Sequence, residues 1–244
     1  MIDLKFPTEV IDLPSRGLLY PKDSPLASGK LEMKYMTAKE EDILTNQNYI
    51  QKGTVIDKLL QSLIVSKVDY TELITGDQNA VMIAARILGY GKDYEFVYGG
   101  QKHVVDLTTL DDKPFNESLI TPHVNEFNFK LPHSKIDITF KILTTGDEDK
   151  IRREVEGLKK INKETNPESS TRLKYTITSV QGARDMETIR GFVDNHLLAR
   201  DSRALREYMR EVQPDVDLKI KIDLDGVEED IYLPITVNFF WPNS

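Results

Sequence analysis

The two halves of the chain carry the same order of predicted elements. An alternating strand, a threonine cap and an acidic helix start occur in LEMKYMTAKEEDIL, residues 31–44, and again in ITFKILTTGDEDKI, residues 138–151. A later helix in each half begins with D-x-x-A, at Asp77 and at Asp201, and an alternating hairpin follows it. Such self-similarity is typical of an internal duplication, although capped amphipathic helices also resemble one another by coincidence. The pattern predicts an α+β fold of two quasi-repeated lobes, each with an alternating strand, capped helices and a C-terminal β-hairpin.

Local signals place the elements of the first half. Thr37 and Glu40 have the spacing of a capping box, which predicts the start of a short helix. A second helix follows an N-cap at Thr54, and a third follows an N-cap at Asp77. Gly99-Gly100 supplies the positive φ angles of a two-residue turn, so the residues around it are predicted to form a hairpin.

The second half begins with two alternating strands, NEFNFKL and IDITFKI. A long charged helix is predicted from about residue 147 to 163, with Thr145 and Glu148 as its capping box. The stretch TRLKYTITSV, residues 171–180, remains ambiguous, because its β-branched content favours a strand while its spacing also suits a helix.

Two further helices and a hairpin complete the predicted elements. One helix is expected around residues 187–197, and another from an N-cap at Asp201 to about Val212. The last alternating run turns at Asp225-Gly226, since Asp-Gly is a preferred turn dipeptide.

Changes in composition divide the chain into four segments. Residues 6–29 contain four prolines and lack a helical or strand period. The stretch DDKPFNESLITPH has the proline and polar content of a linker. We therefore expect an extended proline-rich arm at 1–29, an N-terminal α+β lobe at 30–110, a linker at 111–126, and a C-terminal α+β lobe ending in an aromatic segment at 127–244.

The predicted arm carries apolar side chains that it cannot bury within itself. Prolines lack a backbone donor and hold the chain extended, so the arm must lie in a groove of its own domain or of a neighbour. We expect docking on a neighbour, in which case residues 1–20 are dispensable for folding. The alternative is a terminus clamped along its own core. The candidate partner-binding residues of the arm are Leu13, Leu18, Leu19 and Tyr20.

A second candidate contact is the aromatic run Phe239, Phe240 and Trp241. In an extended segment successive side chains point to opposite faces, so one core face cannot bury all three. At least one ring is then expected to contact another element or another chain, as aromatic anchors of interfaces do.

Composition excludes several classes of function. The chain contains no cysteine, which excludes disulfides, thiolate zinc sites and iron–sulfur clusters. A net charge of −8 argues against direct nucleic-acid binding. No apolar run approaches the roughly 18 residues that cross a bilayer, and the N-terminus lacks the pattern of a secretion signal. We therefore expect neither nucleic acid nor a membrane as a partner.

No motif predicts catalysis, a cofactor or a metal. The four histidines are scattered without a metal-ligand spacing. The run DLDGVEED, residues 223–230, is the best calcium candidate, but it falls where a hairpin turn is expected. We expect a protein that is not an enzyme and has no catalytic, cofactor-binding or metal residues. A metal-assisted hydrolase is the alternative from another class, and its candidate residues are Asp223, Asp225, Glu228 and His196.

Several stretches together carry a family resemblance over nearly the whole chain. They are LPSRGLLYP, SGKLEMKYMTAKEEDIL, GDQNAVMIAARILGYGKDYEF, LLARDSRALREYMREVQPDVDL and the terminal LPITVNFFWP. In this order they resemble the baseplate-hub protein family of T-even-like contractile-tailed bacteriophages. In that family the two hairpins often carry paired cysteines that resemble zinc ribbons. Here Tyr98-Gly99-Gly100 and Leu224-Asp225-Gly226 occupy those turns, so the resemblance carries no metal site to this chain.

The resemblance implies a structural component of a phage tail baseplate hub. Its implied partners are other tail and baseplate subunits, and a homo-oligomer is left open. The implied location is the virion, with the host cytoplasm as the place of assembly. The alternative within the same resemblance is a transient assembly chaperone of the hub or tail that is absent from the mature virion.

Overall fold

The computed structural model describes residues 7–161, 166–224, 226–235 and 239–241. The helices found there are α1 (Ala38–Leu44), α2 (Gln47–Gln51), α3 (Val55–Leu63), α4 (Thr75–Tyr90), α5 (Thr145–Ile161), α6 (Glu168–Thr176), α7 (Met186–Asn195) and α8 (Ala199–Val212). Short 3-10 helices lie at Pro25–Ser28, Tyr70–Glu72, Leu107–Thr109 and Glu117–Leu119. Within these ranges no helix is both long enough and apolar enough to cross a bilayer.

The strands form small antiparallel sheets. They are β1 (Thr8–Asp12), β2 (Lys30–Lys34), β3 (Asp93–Tyr98), β4 (Gln101–Asp106), β5 (Asp112–Lys113), β6 (Phe127–Lys130), β7 (Asp137–Phe140), β8 (Ile177–Val180), β9 (Asp215–Val216), β10 (Lys219–Leu224) and β11 (Val227–Tyr232). The pairs are β1–β2, β3–β4, β5–β9 and β10–β11, and β6–β7–β8 is three-stranded. The predicted α+β class is confirmed, whereas the quasi-repeat stays a prediction.

One apolar core runs through both halves of the chain. The largest cluster of buried side chains includes Leu13 and Val81 from the first half and Phe140, Leu205 and Phe240 from the second. Because burial of apolar surface is the main stabilising contribution to folding, the two halves stabilise each other and do not have separate main cores.

The segment expected to be a linker, residues 111–126, is built into this fold. Its strand β5 pairs with β9, and the Asn116 amide donates to the Glu211 carbonyl at 2.9 Å. Ile120 is buried, and the His123 amide donates to the Leu18 carbonyl at 2.6 Å. The segment therefore connects the halves through contacts on both sides.

Several helix starts differ from the prediction by one to three residues. The Thr37–Glu40 capping box is confirmed at α1. The predicted N-caps Asp77 and Asp201 are instead the third residues of α4 and α8, and both are buried. At α5 the residue before the helix is Thr144, and its amide and hydroxyl donate to Asp147. The predicted capping box of Thr145 and Glu148, one residue further on, is therefore wrong. The carboxylates in the first turns of α4, α5 and α8 accept hydrogen bonds from backbone N–H groups, and these bonds offset the cost of their burial.

The remaining local predictions agree with the fold in part. TRLKYTITSV contains both predicted alternatives, because helix α6 ends at Thr176 and β8 begins at Ile177. Both hairpins form as expected, and Gly99 and Gly100 have φ angles of 58° and 81°. The residue Asp225 of the second turn lies outside the described residues.

Candidate functional site

Among residues 7–29, which we call the N-terminal segment, the stretch 13–20 lies in the core and is not an exposed docking arm, whereas most of β1 is exposed. Strand β1 pairs with β2 over five residues, and Leu13, Leu19 and Tyr20 are at most 2% exposed. Leu18 is half-buried. The expectation that this segment needs a neighbour to cover it is therefore wrong for these side chains.

A tight turn, and not an extended course, explains this burial. The turn has left-handed backbone at Arg16 (φ 50°) and Gly17 (φ 78°). A Cβ atom on Gly17 would lie 2.2 Å from the Ala27 carbonyl oxygen. Glycine therefore lets the two backbone stretches meet, and the segment folds back on its own lobe.

The C-terminal aromatic run is buried in the same way. Phe239 and Phe240 are buried, and their rings meet edge to face with centroids 5.1 Å apart. Tyr94 makes a second edge-to-face contact with Phe239 at 5.0 Å. The backbone turns at residues 239–240, so successive rings reach one core and the extended-segment argument fails. Trp241 is half-buried, and Pro242 lies outside the described residues.

The buried carboxylate of Asp77 holds the N-terminal segment. Its Oδ1 accepts the Ser15 amide at 2.9 Å, and its Oδ2 accepts the hydroxyls of Ser15 and Tyr20, each at 2.6 Å. The Tyr20 hydroxyl in turn accepts the Ile74 amide at 3.0 Å. One carboxylate thus joins the turn of the N-terminal segment to the start of α4.

Burial is the main cause of the shifted pKa values of Asp77 and Tyr20. Burial raises the pKa of Asp77 to about 6, although hydrogen bonds from Ser15 and Tyr20 oppose the rise. Burial and the adjacent carboxylate also raise the pKa of Tyr20. A buried acid with a raised pKa is a candidate catalytic group in a cleft, but every contact of Asp77 here is a structural one within the chain.

The start of α4 also meets the start of α5. The Thr75 amide donates to the Leu143 carbonyl at 3.1 Å, and the Thr145 amide donates to the Leu73 carbonyl at 2.8 Å. We call this paired contact the helix-start junction. The triplet Thr-Gly-Asp occurs in both helices, at 75–77 and 145–147, and this repeated triplet is the sequence signal that could have predicted the junction.

Glycine is required at the junction because backbone atoms approach it closely. A Cβ atom on Gly76 would lie 1.9 Å from the Pro214 carbonyl oxygen, and one on Gly146 would lie 2.9 Å from the Thr71 carbonyl oxygen. Real Cβ atoms do not come so close to backbone, so any larger residue forces the neighbouring segment to move. The junction therefore fixes how the halves pack.

The other buried carboxylates of the helix starts have comparable roles. Burial alone would raise the pKa of Glu40, but hydrogen bonds from Lys34, Thr37 and Ser62 outweigh it and lower the pKa to about 2. Asp201 accepts the amides of the loop between β6 and β7, from His133 at 2.8 Å and Ser134 at 3.0 Å.

The hydrolase candidates are not assembled into a site. Asp223 and Glu228 face each other across the hairpin, and Asp223 accepts the Gly226 amide at 2.8 Å. His196 follows the last residue of α7, and Asp225 is not described. Among the described residues, no group of three or more histidine, aspartate or glutamate side chains is arranged to hold a metal ion.

An open cleft of about 440 Å³ is lined by residues of the β6–β7–β8 sheet and by Gly182 and Arg184, which follow it. Its wall contains Thr139, whose hydroxyl is 2.7 Å from those of both Thr178 and Ser179. Arg184 makes two hydrogen bonds to Glu126, at 2.7 and 2.9 Å, and these help to lower the pKa of that carboxyl to about 2. These hydroxyl, guanidinium and carboxylate groups therefore satisfy each other.

The two hairpins, β3–β4 and β10–β11, contact each other. A Cβ atom on Gly99 would lie 3.1 Å from the Leu224 side chain, so the hairpin tips are in contact. The Tyr94 hydroxyl donates to the Pro234 carbonyl at 2.8 Å. The pair also presents a group of exposed apolar side chains that the sequence prediction missed: Val97, Tyr98, Val104, Val227 and Tyr232.

Comparisons of the chain with protein-family models, curated proteins and solved structures found no match.

Proposed function

We propose that this chain is a non-enzymatic structural component of the baseplate hub of a contractile-tailed phage. The observation that carries the proposal is the ordered resemblance from LPSRGLLYP to the terminal FFWP. Two residues of the first motif, Ser15 and Tyr20, bind Asp77, which belongs to another of the resembling stretches. The resembling stretches thus contact each other in the fold, as expected if the likeness reflects a shared architecture.

The contacts of the three buried acids support a structural role. Asp77, Glu40 and Asp201 are all buried at helix starts, and each holds a preceding turn or strand through hydrogen bonds. Catalytic carboxylates need an approach for substrate, whereas these are filled by groups of the same chain. A rigid subunit of a large particle requires this kind of internal fixation.

The burial of residues 13–20 and of Phe239 and Phe240 changes the proposed mode of binding. Because Leu13, Tyr20 and Phe240 lie in the core, they contribute to assembly by holding the subunit together. Contacts with neighbouring tail subunits then fall on exposed surfaces, and the hairpin pair is the strongest candidate.

We also infer that the two halves arose by duplication. The order strand, strand, helix, hairpin is supported by equivalent contacts in each half. Lys34 pairs with Glu40 at 2.8 Å as Lys141 pairs with Asp147 at 2.6 Å, and each lysine precedes its acid by six residues. Superposition of β1–α4 on β6–α8 should place Asp77 on Asp201. Unrelated backbone paths would contradict the duplication.

Mass spectrometry of purified particles tests the proposed function. A structural hub component is expected in stoichiometric amounts in particles of the phage that encodes the chain. Absence from mature particles combined with presence in assembly intermediates would replace the structural role with the chaperone alternative. Absence from both would refute a role in the tail.

A further inference from the structure

Strand β11 is the most exposed strand of the hairpin pair. Five of its six residues are exposed, and only Ile231 is buried. In the described part of the chain β11 pairs with β10 alone, so the N–H and C=O groups of its other edge have no strand partner.

The only usual protection of this edge against strand addition is its acidic charge, which repels acidic strands but not basic ones. Exposed edges are commonly blocked by charged side chains, above all lysine, by proline or by a bulge. The sequence of β11, VEEDIY, has neither lysine nor proline, and its register with β10 runs without a bulge from Leu224–Val227 to Lys219–Tyr232. By contrast, β10 carries Lys219 and Lys221, and β4 carries Lys102.

The side chains of β11 define the chemistry of a partner. Glu228, Glu229 and Asp230 are consecutive acids, and residues 219–232 contain five acids against two lysines. Asp230 pairs with Lys219 at 2.7 Å and Glu228 lies 3.8 Å from Lys221, whereas Glu229 makes no hydrogen bond or ion pair in the described part of the chain. Val227 is 60% exposed and Tyr232 is 78% exposed, one at each end of the acidic run.

We propose that the outer edge of β11 binds an extended, lysine- or arginine-rich segment of a partner protein as an added strand. Main-chain hydrogen bonds along the edge would give affinity, and Glu229, with the net negative charge of the hairpin, would select basic side chains at opposite positions. The apolar contacts would come from Val227 and Tyr232. A second copy of β11 is disfavoured, because its own acids would face these acids. This inference rests on the proposed function only for its biological setting.

A labelled peptide tests the edge directly. The probe is a fluorescein-labelled octapeptide of alternating lysine and valine, and binding to the full chain is followed by fluorescence anisotropy. We expect saturable binding that weakens as salt is added. Binding should also slow hydrogen exchange at the amides of β11. The same peptide with two central valines replaced by proline should bind at least about tenfold more weakly, since it cannot complete the strand hydrogen bonds.

Two variants and a matched control locate the site. Glu229→Lys combined with Tyr232→Ser should weaken binding about tenfold, because it reverses a charge and removes the largest exposed ring. Glu41→Lys makes the same charge change at an exposed position on α1, outside both hairpins, and should leave binding within about twofold. Thermal melts of both variants establish that the fold is retained.

The proposal is overturned by any of three results. They are no binding of the lysine–valine peptide to the native chain, equal binding of the proline-containing peptide, and equal weakening by Glu41→Lys. The last two results would mean that net charge alone attracts the peptide. Failure here leaves the particle test of the proposed function unaffected, since a hub subunit can use another surface.

Discussion

Replacing Gly76 by alanine tests the contact between the two halves of the chain. Gly76 lies in the first turn of α4, and an added Cβ atom would lie 1.9 Å from the Pro214 carbonyl oxygen and 3.0 Å from the Asp215 Cα. These are backbone atoms, so a side-chain rotation cannot relieve the clash. The segment that follows α8 would have to move away from α4.

The size of the effect follows from three contributions. Alanine is about 1 kcal/mol more favourable than glycine inside a helix. Overpacking costs about 1–3 kcal/mol. Displacing residue 215 also strains the 2.8 Å hydrogen bond from Asn79 to Asp215, which is worth about 1 kcal/mol. The balance is a loss of about 2 kcal/mol in the free energy of unfolding.

Gly157→Ala is the matched control. Gly157 lies inside α5, and a Cβ atom there would meet nothing within 4 Å. The same substitution should therefore stabilise the protein by about 1 kcal/mol. Urea unfolding followed by circular dichroism measures both values. If Gly76→Ala is as stable as Gly157→Ala, the close packing of α4 against the segment that follows α8 is refuted.

Three further predictions concern the buried carboxylates and the N-terminal segment. The pKa of Asp77 is raised to about 6, above an unfolded value of about 3.9, so its contribution to stability is full below about pH 4 and is lost as the pH rises through 6. Asp77→Asn should remove that dependence, and parallel urea titrations at pH 4.5 and 7 should reveal it; an unchanged pH dependence would contradict the raised pKa. The pKa of Glu40 is lowered to about 2, so its contribution is present above about pH 4.5 and is lost towards pH 2, a loss that Glu40→Gln should eliminate in acid titrations followed by circular dichroism. Deletion of residues 1–20 removes β1 and the donors Ser15 and Tyr20, so the truncated chain should lack a cooperative unfolding transition; a folded, cooperative product would restore the docking-arm interpretation.

Short-range signals in the sequence predicted much of the local structure. The capping box at Thr37 and Glu40 and the hairpin turn at Gly99-Gly100 depend on residues within a few positions of each other. Their physical causes are local, namely an exposed helix N–H and a positive φ angle, so no tertiary information was needed.

The burial of residues 13–20 and of Phe239 and Phe240 could not be predicted in this way. Ser15 contacts Asp77, which is 62 residues away, and proline content alone does not tell whether a segment turns back or runs on. Phe239 and Phe240 share one core because the backbone turns between them, whereas the sequence prediction assumed an extended segment. Asp77 itself was assigned to an N-cap, since its pattern resembles one and its distant donors are not visible locally.

The central claim of this account is that the N-terminal segment is an integral part of the core, held by Asp77. Native-state hydrogen exchange at the Ser15 amide, which donates to Asp77 at 2.9 Å, tests it most directly. The account predicts that this amide exchanges only through global unfolding, with the same free energy as the buried amide of Ala85 in α4. Exchange at Ser15 as fast as at an exposed loop amide, while Ala85 stays protected, would contradict it.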